Sequence, residues 1–123
     1  MDQDWSASEC EAIVGDYVAM LRAEMSGATY SKTRHRVLLA LRLSGRTKAS
    51  IVARHQDISA VLLAHGYRHI RGYKPKRSVK PAMEHVVLQY LHKHPEIARR
   101  LRVAGRMDDA GRPEGRPLPA RRT

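Results

Sequence analysis

Phenylalanine is absent from this 123-residue chain, and one Trp and five Tyr are its whole aromatic complement. A core built without Phe draws on Leu, Ile, Val, Met and Ala, which favours helices, because strands prefer aromatic and β-branched residues. Cysteine occurs once, as Cys10, so an internal disulfide and any Cys-based zinc site are excluded. Its acidic neighbours disfavour a thiolate, and no nucleophilic role is expected for it. No apolar run approaches the roughly 18 residues of a membrane span, and the first residues carry acid rather than a basic leader. The expectation is a cytoplasmic protein with no membrane partner.

Catalytic signatures are equally scarce. There is no Walker loop, no GxSxG elbow, no HExxH helix and no Glu-x-Lys pair of the restriction-nuclease kind, so neither enzymatic activity nor a cofactor is expected. Of seven histidines, only His85, His92 and His94 group together. His85 and His92 can share a helix face, but His94 points elsewhere and no Cys or carboxylate completes a tetrahedral set, so no metal site is expected.

What the chain has in excess is positive charge, +11 net with 23 Lys and Arg. Codon bias in a high-GC genome would spread arginine evenly, but here it is segregated. Residues 1–30 hold six acidic groups against Arg22 alone, whereas residues 31–80 hold thirteen Lys or Arg against Asp57 alone. A block of that kind is the electrostatic footprint of a polyanion binder.

Ser6 and Glu9 form a capping-box pattern, and Ile13, Tyr17, Met20, Leu21 and Met25 recur at helical spacing up to Gly27. Ser31 or Thr33 caps a second helix with Val37, Leu38, Leu41 and Leu43 as its inward positions. After Ser44-Gly45-Arg46, Thr47 caps a third stretch with Ile51, Ile58, Val61, Leu62 and His65 facing inward. Asp57 leaves open whether this is one helix or two. Gly72, Pro75 and Pro81 make 67–80 an irregular connector, anchored by Ile70 and Tyr73. Met83, Val86, Val87, Tyr90 and Leu91 mark a further helix, extended by one or two turns over 97–103. The fold class is therefore all-α, a bundle of four to five helices occupying 1–103. Residues 104–123, rich in Arg, Gly and Pro, read as a disordered tail.

The second and third helices with their short turn suit a helix-turn-helix-like corner, whose second helix would enter the major groove of duplex DNA. On that reading Lys48, Ser50, Arg54, His55, Gln56 and Ser59 are the solvent-facing readers, with Arg54 suited to guanine and Gln56 to adenine. Lys32, Arg34, Arg36, Arg42 and Arg46 are expected to contact phosphates. So are Arg68, Arg71, Lys74, Lys76, Arg77 and Lys80 in the connector.

Five strings carry a family resemblance: Asp16-Tyr17-x-x-Met20-Leu21, Tyr30-x-Lys32-x-x-His35-Arg36, Arg46-x-x-x-Ser50-Ile51, the run from Arg54 to Leu62, and Ile70-x-Gly72-Tyr73-Lys74-Pro75. Over residues 9–75 the chain resembles the N-terminal helical domain that precedes the catalytic part in some bacterial HNH and restriction-type endonucleases and related defence proteins. The resemblance implies DNA recognition rather than cleavage, and a nuclease subunit as partner. Asp57 departs from it where Asn is expected, and the sequence ends before any catalytic domain. A protein–protein module, with a second copy as one partner, and an RNA-binding module are the alternatives that the same basic surface allows.

Overall fold

A computed structural model describes residues 5–43 and 45–103. The tail expected to be disordered, 104–123, lies outside the described residues, as does Ser44 of the expected turn. Five helices follow one another: α1 (Ala7–Met25), α2 (Lys32–Arg42), α3 (Lys48–Ala64), α4 (Pro81–Lys93) and α5 (Pro95–Leu101). No strand occurs among the described residues, and the chain is all-α as expected.

The local causes are visible at the helix ends. The Ser6 hydroxyl accepts from the Glu9 amide and the Glu9 carboxylate accepts from the Ser6 amide, which completes the capping box of α1. Ser31 and Thr47 cap α2 and α3 through their hydroxyls, and Pro81 and Pro95 occupy first-turn positions where their missing N–H costs nothing. Gly27 and Gly66 end α1 and α3 at φ of 80° and 83°, a left-handed conformation that side chains disfavour. Asp57 does not break the third stretch, which is one continuous helix.

α3 is the hub. It packs on α1 and α4, which also pack on each other, and α2 lies against α1 and α3 at the periphery. Ile13, Tyr17, Met20 and Leu21 of α1 meet Ile51, Ile58 and Leu62 of α3 and Met83, Val87 and Leu91 of α4 in one core, with Ile70 buried from the connector. α5 is tied back to the end of α3 by backbone hydrogen bonds from Arg68 to Leu101 and from Val103 to Gly66.

Two expectations about burial are corrected. In α2 the inward residues are Leu39 and Leu43, while Val37, Leu38 and Leu41 are exposed. Both faces of this short helix carry leucine, so periodicity alone does not phase it, and contact with α1 and α3 decides. His65 faces solvent at the C-cap of α3, where its ring lies 3.4 Å from Glu84.

Candidate nucleic-acid interface

Because α3 is enclosed by three helices, its polar residues form an interior network rather than a reading surface. Ser50, Arg54, His55, Asp57 and Ser59 are all buried. The expectation that Ser50, Arg54, His55 and Ser59 face solvent is therefore corrected: a buried side chain makes no groove contact. Lys48 is exposed and Gln56 half-buried.

Several of the buried polar groups have a structural task. Asp57, fully enclosed, meets Arg54 Nε at 2.8 Å one turn back and Lys76 Nζ at 2.9 Å from the connector. A buried carboxylate needs such partners, since leaving water alone costs several kcal/mol. The Trp5 indole donates to Ser50 Oγ at 3.2 Å. Tyr17 Oη lies 2.7 Å from Ser59 Oγ and accepts from the Ile70 amide at 2.8 Å, which ties α1, α3 and the connector together. Burial pushes the Tyr17 phenol up to about 12, with those hydrogen bonds pulling the other way.

The His55 ring lies beside Tyr73, with centroids 4.6 Å apart, and its Nε2 is 3.8 Å from Asp16 Oδ2. The other Asp16 oxygen is 2.7 Å from His35 Nδ1 of α2. Burial raises the Asp16 carboxyl, but the two histidines outweigh it and leave the group below its ordinary range.

Two of the expected phosphate contacts are likewise turned inward. Arg46 grips Glu9 with two contacts, Nε to Oε2 at 3.0 Å and Nη2 to Oε1 at 2.7 Å, and lies over the Trp5 ring. The Arg46 contact and the Ser6 amide hold the Glu9 carboxyl down at about 2. Lys76 is drawn to Asp57. Arg46 and Lys76 are thus each compensated by a carboxylate inside the fold, which leaves less of their charge for a phosphate.

What remains outside is a cationic belt. Lys32, Arg34, Arg42, Arg68, Arg71, Lys74 and Arg77 are exposed, and Arg36 and Lys80 are half-buried. Among the described residues none of these nine forms an ion pair with a carboxylate. The two halves of the belt touch through Lys32, whose ammonium donates to the Gly72 carbonyl at 2.9 Å and sits 4.2 Å from the Tyr73 ring centroid. Burial raises the Tyr73 phenol, and the nearby Arg36 charge opposes it. A Cβ at Gly72 would lie 2.7 Å from Lys32 Nζ, the far end of a flexible side chain, so a side chain there would displace the lysine rather than the backbone. Tyr73 is buried and anchors the connector as expected, and Tyr67 accepts from Arg102 at 2.8 Å.

Sequence reasoning missed the exposed apolar side chains on α2. Val37, Leu38 and Leu41 are 48%, 52% and 79% exposed, and they stand among Arg34 and Arg42 rather than in the core. It also missed the Asp16 to His35 contact, for which 19 residues of separation offer no local signal.

No group of three or more His, Cys, Asp or Glu suited to a metal ion occurs among the described residues, and none of their helices is long and apolar enough to cross a membrane. No family model matches the chain, and the searches of curated proteins and of solved structures found no significant match.

Proposed function

We propose that this protein is a non-catalytic duplex-DNA-binding module whose interface is α2 together with the connector 67–80. The observation that carries this reading is the distribution of charge. Carboxylates within the fold compensate Arg46, Arg54 and Lys76, whereas the exposed cations of α2 and of the connector abut one another through Lys32 and lack such partners. An uncompensated cationic belt attracts a polyanion, and DNA is the polyanion whose grooves admit a surface helix. The recognition part of a restriction-type or HNH nuclease is the setting in which such a module would act.

Fluorescence anisotropy with duplex DNA across a salt series tests the reading. If about six phosphates are neutralised, log K falls against log salt with a slope near −5. A flat salt dependence, or no binding at about 50 mM salt, contradicts it. Structured RNA that outcompetes duplex DNA would transfer the same surface to RNA.

A further inference from the structure

α2 presents an apolar stripe to solvent beside Arg34 and Arg42. At about 100° per residue, Arg34, Val37, Leu38 and Leu41 share a sector of roughly 100°, and Leu39 and Leu43, which are buried, lie on the opposite side. Nothing in α2 carries negative charge, from Lys32 to Arg42. Three large apolar side chains exposed together on an 11-residue helix form a patch of the kind that can meet a partner.

We infer that this stripe enters the major groove of A·T-rich duplex DNA and packs against thymine methyl groups, with Arg34 and Arg42 engaging phosphates or guanine on either side. The inference rests on the DNA-binding reading above and specifies what that surface recognises.

Four considerations select this occupant. The arginines flanking the stripe have no carboxylate partner among the described residues, so its surroundings are complementary to an anion. Its area is at most a few hundred Å², whereas a stable protein dimer buries about 800 Å² on each partner. Of the groups that a major groove displays, the thymine C5-methyl is the apolar one, so Val and Leu carried into the groove by flanking cations find their contact there. An 11-residue helix is about 16 Å long and fits a groove about 12 Å wide.

The test compares two duplexes of one A·T-rich sequence, one with thymine and one with deoxyuridine at every such position, bound to the full chain in anisotropy titrations. The substitution removes the methyl groups and keeps every hydrogen-bonding group. Affinity for the deoxyuridine duplex is expected to drop about fourfold for each methyl in contact. The Leu38→Ala/Leu41→Ala double variant, which keeps only Val37 of the stripe, is expected to lose most of the thymine preference and to bind near the wild-type affinity for deoxyuridine DNA. Equal wild-type affinity for the two duplexes overturns the inference while leaving DNA binding in place. So does a thymine preference that survives undiminished in the double variant. A dimer at sedimentation equilibrium that Leu41→Lys dissolves overturns it by giving the stripe to a second copy. Absence of binding to either duplex removes the DNA-binding reading itself.

Discussion

Arg54 shows how far residue chemistry underdetermines role. On a solvent-exposed helix an arginine flanked by His55 and Gln56 is a groove reader; inside this fold it neutralises Asp57 at 2.8 Å. Removing one member of a buried ion pair leaves the other uncompensated, at a cost of about 3 to 5 kcal/mol. Arg54→Met is therefore expected to lower unfolding stability by that amount in denaturant titrations. Adding Asp57→Leu should restore most of it, since Lys76, 30% exposed, can turn to water. A base-preference change in Arg54→Met at unchanged stability would return Arg54 to the interface. Other residues quoted in the sequence strings have structural roles of the same kind. Asp16, Tyr17, Lys32, His35, Ser59, Gly72 and Tyr73 pin α1, α2, α3 and the connector to each other.

At the scale of elements, the helices legible in the sequence were those with local signals. The capping box, the three helix-capping hydroxyls, the positive-φ glycines and the two first-turn prolines mark the ends of α1 to α5 without reference to tertiary contact. Orientation was legible only where one face is clearly polar. α1 buries Ile13, Tyr17, Met20 and Leu21 as its period requires, whereas α2, with Val37, Leu38, Leu39, Leu41 and Leu43 around most of its girth, is phased by its neighbours. α3 was misread for the converse reason: its interior face is polar, and burial of Ser50, Arg54, His55, Asp57 and Ser59 depends on partners up to 45 residues away in sequence. The two faces of α2 should separate cleanly in unfolding experiments. Leu39→Ala is expected to cost about 2 to 5 kcal/mol, as for other buried leucines, and Leu41→Ala to change stability by less than about 0.5 kcal/mol. Similar losses at both positions would mean that the outer face is covered.

Over the whole molecule, four of the five acidic groups of α1 and α3 make internal contacts, and Glu11 is exposed. Glu9 holds Arg46, Asp16 holds His35, Glu24 accepts from Tyr30 and the Arg71 amide, and Asp57 holds Arg54 and Lys76. This arrangement leaves the excess positive charge of residues 31–80 on α2 and the connector, where it supports polyanion binding by the route proposed above. Composition alone made that excess legible; which cations remain uncompensated emerges only when distant carboxylates are folded against their neighbours. The most direct test of the interface is backbone amide chemical-shift mapping of the full chain during titration with duplex DNA. The account predicts that the largest shifts fall within 32–42 and 67–80, with the interior positions of α3 little affected; shifts centred on Lys48 and the first turn of α3, or on the outer face of α1, would contradict it.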